Sequence, residues 1–342
     1  MWLCVYIVAA IMTLLAAGYL YERIAEAGDR RRFPPPGEVI RVNERRMHLF
    51  MRGAAAGPLV IIEQGLASPS LLWWPIQESV ARFARVCTYD RAGYLWSDPP
   101  AGRRSIEDRV ADLHTVLSQC GTPPPFVLVA HSFGGILVQE FARAFPGEVA
   151  GVVLVDTPDH ALMFRESSLR FLRQGLAIQK VMRFAAQVGL VRLLGKRLNL
   201  LLPEDEVGYA LTVTPAHSAA VADDMRCVLQ ANRTAREPLP AGYLGDVPLL
   251  AMTHGVAFPG PAAVLEEGWD EGQRQLLSLS TNSELVRAVK CNHFIPMEDP
   301  MLVVEAIRRV HAAAKEGTRL DVTGLPGEVV TSTSREAAAS VA

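Results

Sequence analysis

The stretch FVLVAHSFGG, residues 126–135, carries a serine where an apolar run gives way to glycines. Residues 126–130 have the composition of a buried strand, and Gly134, Gly135, Ile136, Val138, Phe141 and Ala142 begin a helix. Ser132 is therefore expected on a tight strand-to-helix turn that pushes its hydroxyl out above a sheet. This is the geometry of a G-x-S-x-G turn, in which the positions two away from the serine must be small because the backbone folds sharply against itself. The pattern here reads Ala130-His131-Ser132-Phe133-Gly134, so alanine adds one methyl at the first position. The chemistry of a serine so displayed is nucleophilic attack on a carbonyl. A serine hydroxyl is a poor nucleophile at neutral pH, so this requires a histidine base, a carboxylate holding the other ring nitrogen, and N–H donors aimed at the developing oxyanion.

Such groups need a frame. EVIRV and RMHLFM flank the polar pair Asn43-Glu44 as in a hairpin, and short apolar runs then alternate with helical patterns. Strands are expected at 59–63, 86–90, 126–130, 149–155, 247–252 and 285–289. Between the second and third, SIEDRVADLHTVLSQCG has Ser105 as N-cap and Asp108 three residues on. It places Ile106, Val110, Leu113 and Leu117 on one face, with Gly121 as terminator. Strand, helix and strand in alternation imply an α/β fold with a mostly parallel central sheet flanked by helices, whose ligands bind at the carboxyl ends of the strands.

Composition narrows the class. The chain has 342 residues, half of them hydrophobic, and a formal charge of −2, with no basic excess to hold a phosphate backbone; no nucleic-acid partner is expected. Five scattered cysteines without C-x-x-C or zinc spacing read as free thiols, and no metal site is expected. Residues 1–21 carry no charged side chain, enough to cross about 30 Å of hydrocarbon at a helical rise of about 1.5 Å per residue. They read as a single transmembrane anchor rather than a cleaved signal peptide, because a basic leading region and an A-x-A site are missing. Arg23 and Arg30 to Arg32 follow the run, which by the positive-inside rule places the remainder in the cytoplasm. Residues 22–37, ending in RRRFPPPG, read as an Arg/Pro-rich linker and stiff spacer.

From about Glu38 to Ala314 the chain resembles the α/β-hydrolase superfamily. VIIEQGL is similar to the family's strand and oxyanion turn and YDRAGYLWSD to the loop after the next strand. AHSFGG is the nucleophile turn, and NHFIPMEDP resembles the histidine loop before the last helix. The resemblance implies a cofactor-free hydrolase acting through a serine, histidine and acid triad, with a helical cap inserted after the strand that follows the nucleophile.

Within that resemblance Ser132 is the nucleophile. His293 is the favoured base among eight histidines, since it follows the last strand in a loop where the chain returns over the strand ends. His131 is expected to point away from the serine, and His48, His114 and His311 to lie on strand or helix surfaces. Many family members carry the acid after the strand at 247–252, but THGVAFPG offers no carboxylate before Glu266. Asp156, ending the strand 149–155, is the alternative, with Asp159 in reserve and a later carboxylate, Glu266 or Glu267, still open. The backbone N–H groups of Phe133 and Leu66 are the expected oxyanion donors.

The domain at 38–314 contains the cap at about 160–245. From Arg165 to Arg197 the cap holds eight Lys or Arg against the single acid Glu166, a composition suited to an anionic membrane surface and equally to a solvated helix face. Residues 315–342 are expected to form a disordered tail. The function so implied is a membrane-bound serine esterase on a small-molecule ester of apolar or lipid-like character, with contact to the membrane through the N-terminal helix and the basic cap. The alternatives are an acyltransferase, amide or carbon–carbon hydrolase on the same triad, and a non-catalytic binding module of the same fold.

Overall fold

The computed structural model describes residues 1–54, 56–198, 203, 205–231 and 237–330. Its strands are β1 (Glu38–Val42), β2 (Arg45–Arg52), β3 (Val60–Glu63), β4 (Val86–Tyr89), β5 (Phe126–His131), β6 (Val149–Val155), β7 (Leu249–His254), β8 (Ser283–Ala288) and β9 (Glu328–Val329). They form one sheet in the order β1-β2-β4-β3-β5-β6-β7-β8-β9. All pairs from β4 through β8 are parallel, and antiparallel pairs close the two edges. β3, β4 and β5 are buried at every residue, which is why they read as unbroken apolar runs rather than alternating ones.

Helix α1 (Trp2–Arg32) precedes the sheet, and α2 (Trp74–Val80), α3 (Ile106–Gln119) and α4 (Gly134–Ala144) connect its first strands. Among the described residues, five α-helices lie between β6 and β7: α5 (His160–Met163), α6 (Glu166–Gln187), α7 (Leu190–Leu194), α8 (Glu206–Thr212) and α9 (Pro215–Ala231). Then come α10 (Trp269–Leu277), α11 (Ile295–Glu298) and α12 (Pro300–Glu316). Two apolar layers sandwich the sheet. Ile76 of α2 and Val303, Ile307 and Val310 of α12 fill one, and Leu113 of α3 and Ile136 and Phe141 of α4 fill the other. The start of α3 is set by a capping box: the Asp108 N–H donates to Ser105 Oγ at 3.2 Å, and the Ser105 N–H donates back to the Asp108 carboxylate at 2.9 Å.

Three expectations about element limits change. β7 runs two residues past the expected 247–252, because Thr253 and His254 pair with Arg287 and Ala288 of β8. The charged stretch after residue 21 is not an extended linker. Helix α1 continues through it to Arg32, supported by Glu26 paired with Arg23 at 3.1 Å and Arg30 at 3.4 Å, and stops where Pro34, Pro35 and Pro36 cannot continue it. The spacer itself is tied down, since the Phe33 carbonyl accepts from Trp96 Nε1 at 2.8 Å and the Pro36 carbonyl accepts from His48. Finally, residues 315–330 are ordered rather than a disordered tail. Leu320, Val322 and Leu325 are buried, Asn282 Oδ1 accepts the Leu320 N–H at 2.8 Å, and β9 extends the sheet edge. A few apolar side chains, all laid on one edge, are enough to fix this segment; the rest of the expected tail, 331–342, lies outside the described residues.

Candidate active site

Ser132 sits where β5 turns into α4, with φ of 53°, a left-handed conformation that non-glycine residues seldom adopt. Its N–H donates to the Val155 carbonyl at 3.1 Å, which pins the turn to the end of β6. The glycines after it are there for close approach. A Cβ on Gly134 would lie 2.6 Å from the Glu63 carbonyl oxygen, and one on Gly135 would lie 1.9 Å from Thr157 Cγ2. Ala130 is fully buried between β3 and β6, so its extra methyl belongs to the sheet core.

One strand over, Asp156 ends β6 with φ of 46°, and its N–H donates to Met252 O at 2.8 Å. Two residues that end adjacent parallel strands are thus turned into the left-handed region at the same sheet edge. His293 arrives on the loop between β8 and α11. Its Nε2 is 2.9 Å from Ser132 Oγ and its Nδ1 is 2.6 Å from Asp156 Oδ2. With Nδ1–H donating to the carboxylate, Nε2 is left as the acceptor of the serine proton. The structure therefore places His293 within hydrogen-bonding distance of both Ser132 and Asp156.

His131 points away from Ser132, and its Nε2 donates to the His293 carbonyl at 2.9 Å, holding the loop that carries the base. Burial, with a further contribution from the neighbouring His293, pushes the His131 imidazole down to about 3, so it stays neutral in this role. Of three histidines expected on surfaces, two are buried. His48 is fully buried and bonded to Asp90 at 2.8 Å, and His311 is buried against the Pro58 carbonyl at 3.2 Å. His114 does lie at the surface of α3, stacked on Phe145 at 3.9 Å. The buried pair arises because the spacer before β1 and the loop before β3 cover strand and helix faces that the sequence pattern presents as outer ones.

A group that sequence reasoning did not weigh completes the acid. His254, the last residue of β7, donates from its backbone N–H to Asp156 Oδ1 at 2.9 Å and from Nδ1 to the same oxygen at 2.8 Å. Behind it, Glu266 lies 3.4 Å from His254 Nε2 and also accepts the Phe258 N–H. The place after β7 that offers no carboxylate is thus filled by a histidine that serves the carboxylate on β6. Burial alone would raise the Asp156 carboxyl, but the hydrogen bonds from His254 and His293 outweigh it and hold the group below its ordinary value. Burial likewise pulls His254 down, and its contacts with Asp156 and Glu266 reverse this and leave it raised. The other acids stand elsewhere. Asp159 caps α5 by accepting from Leu162 N–H at 2.9 Å, and Glu267 is engaged by Arg165 at the surface.

The loop after β3 borders the serine. A Cβ on Gly65 would lie 3.3 Å from Ser132 Cβ, so the Gln64-Gly65-Leu66 turn passes beside the serine. Arg91, buried, donates to the Gln64 and Gly65 carbonyls, each at 2.7 Å, and to Glu63 at 2.6 Å. It also reaches the cap, at 3.0 Å from Asp224 of α9, which accepts from Tyr94 at 2.7 Å and Arg109 at 2.9 Å as well. Leu66 and the cap residues Phe164, Leu172, Leu176 and Met225 belong to the same apolar cluster as the α3–α4 layer of the sheet.

A mostly parallel sheet with a serine on the turn after its central strand and a group of helices inserted between β6 and β7 defines the class to which this chain belongs. It is a member of the alpha/beta hydrolase fold family, whose pattern matches residues 58–251, more than half of the chain. An uncharacterised protein of Bacillus subtilis, YqjL, is 22% identical over 267 residues, covering 78% of this chain and 88% of that one. Among solved structures, the alpha/beta hydrolase MGS-M2 from a deep-sea metagenome superposes with a TM-score of 0.61 at 14% identity, covering 84% of this chain and 100% of that chain. The epoxide hydrolase of Bacillus megaterium superposes with a TM-score of 0.60 at 18% identity, over 80% and 99% of the two chains.

Proposed function

We propose that this hydrolase is a serine esterase that cleaves carboxylic esters of apolar or lipid-like substrates through an acyl-enzyme. The reading rests above all on Ser132 Oγ at 2.9 Å from His293 Nε2, with His293 held from behind at 2.6 Å by Asp156. His293 takes the Ser132 proton as Oγ attacks the ester carbonyl, and the imidazolium is stabilised by Asp156. Negative charge on the carbonyl oxygen is met by the N–H groups of Phe133 and Leu66. Collapse expels the alcohol, which takes the proton from His293, and leaves the acyl group on Ser132. Water, deprotonated by His293, then attacks the acyl carbon; the bond to Ser132 Oγ breaks, the carboxylic acid leaves, and His293 returns the proton to the serine.

The apolar packing that Leu66, beside the serine, shares with cap residues Phe164, Leu172, Leu176 and Met225 supports an apolar acyl or alcohol group. Similarity to an epoxide hydrolase at 18% identity speaks to the fold alone; the serine beside an imidazole favours acyl chemistry. The intact set of three groups supports an enzyme over a binding module. Membrane attachment is part of the proposal. α1 is long and apolar enough to cross a bilayer, and Arg192 of the cap binds Glu22 at 2.8 Å and Asp29 at 2.6 Å, which supports an anchor whose second half stays with the folded domain. The arginines that follow the apolar run favour the cytoplasmic side. Hydrolysis of a p-nitrophenyl ester series from acetate to laurate tests the substrate class: activity should rise with chain length, and a preference for acetate would contradict an apolar pocket.

A further inference from the structure

The cap carries an exposed apolar stripe in an unusual position. Val181 and Phe184 on α6 and Leu190 and Leu193 on α7 expose between 45% and 68% of their surface. Basic side chains border them, with Lys180 and Arg183 on α6 and Lys196 and Arg197 just after α7, all exposed. The stripe meets α1 at a defined height. A Cβ on Gly18 would lie 2.4 Å from the Val188 carbonyl oxygen, and one on Gly189 would lie 2.8 Å from Tyr21 Cδ1, so the α6–α7 junction presses directly on the backbone of α1 at residues 18–21.

That height is informative. From Trp2 to Tyr21 the helix rises about 30 Å at about 1.5 Å per residue, the thickness of the hydrocarbon core. Glu22, the first charged residue of α1, is buried and paired with Arg192 on the domain side. If α1 spans the bilayer, Gly18 to Tyr21 stand at its boundary, and the α6–α7 segment that touches them stands there too. Apolar side chains flanked by cations are what an interface of acyl chains and anionic headgroups accommodates.

We propose that the α6–α7 face of the cap is a second membrane-docking surface, seated on an anionic phospholipid interface beside α1. This rests on α1 being a membrane anchor. It would place the cap over Ser132 against the bilayer, so that a lipid-like ester enters from the membrane rather than from water.

The test uses the full chain and its cysteines. Cys4 on α1 is exposed and the other four are buried, so an NBD maleimide label on the native chain reports α1. Leu193→Cys in a Cys4→Ser background reports the cap, with Val181→Cys as a second position should the first fail to fold. Each is reconstituted in vesicles of phosphatidylcholine and phosphatidylserine, with quenching by brominated acyl chains compared with quenching by aqueous iodide. The proposal expects bromolipid to quench both labels, iodide to reach neither well, and Lys180→Glu with Arg183→Glu to raise iodide access at the cap. If the Cys4 label is quenched by bromolipid while both cap labels stay open to iodide, the anchor stands and the docking surface is wrong. A cap label shielded from both quenchers would mean that a second protein chain covers the face, which also overturns it. If bromolipid fails to reach Cys4, the anchor itself falls, and the docking surface with it.

Discussion

His254 donates to the carboxylate of Asp156 from its backbone N–H at 2.9 Å and from its ring Nδ1 at 2.8 Å. Asp156 is fully buried, so an aspartate with fewer donors would have its ionised form disfavoured and its orientation freed. Replacing His254 with leucine removes the ring donor and leaves a buried charge less well met. A loss of about 2 kcal/mol or more in unfolding free energy is expected. Turnover should fall with little change in KM, because the orientation of His293 is affected rather than the substrate pocket. Unchanged kcat in His254→Leu would show that His293 alone suffices to fix the acid.

The same pair sets a pH dependence. His254 is raised above its ordinary value of about 6.5, so the stability contributed by its charged form is complete below that value and is lost as pH climbs through the raised one. Asp156 is depressed, so its contribution is present above about 3.9 and disappears only as pH falls further. His254→Asn keeps a short donor toward Asp156 without the charge. The stability gap between the native chain and this variant, measured by urea unfolding, should therefore be widest near about pH 5.5 and narrow toward about pH 9. A gap that is constant over this range would mean that His254 is neutral throughout.

Asp156→Asn is expected to lower turnover by up to about 10⁴-fold, through the wrong tautomer of His293 and loss of the imidazolium partner. Glu266→Gln should do far less, since Glu266 meets His254 and the Phe258 N–H but not His293. The two variants assayed side by side on one ester decide which carboxylate serves the base.

Arg91 holds the Gln64 and Gly65 carbonyls beside the serine and is itself held by Asp224 of the cap. Asp224→Asn should loosen that turn and misplace the Leu66 N–H, for an expected loss of about 10²-fold in kcat. Binding of a boronic acid that forms a tetrahedral adduct on Ser132 should weaken in parallel, while KM changes little. Loss confined to KM would assign Asp224 to the substrate pocket instead.

How much of this was legible in the sequence follows from what each residue is held by. The turn around Ser132 could be read because its requirements are local: a buried strand, small neighbours and a helix within ten residues. Asp156 could be read in part, from a strand that ends beside β5, although the choice over Glu266 depended on knowing which strand ends meet. His254 could not be read, because it joins Asp156 across 98 residues of chain and lies on a strand whose end was placed two residues early. The signal the sequence carries is a histidine two residues past the expected strand end, in the place where many family members hold the acid. The extension of α1 past residue 21 and the ordering of residues 315–330 were missed because both depend on tertiary partners, Arg192 and Asn282, that composition does not reveal.

The central claim is that Ser132 is a nucleophile activated by His293. A fluorophosphonate probe reacts with such a serine and forms a stable adduct, so intact-mass and peptide analysis of the folded full-length chain tests it directly. One adduct is expected, located on the peptide carrying Ser132 and abolished in Ser132→Ala and in heat-unfolded protein. A folded chain that takes up no probe, or that carries it on another residue while Ser132→Ala hydrolyses esters normally, would contradict the account.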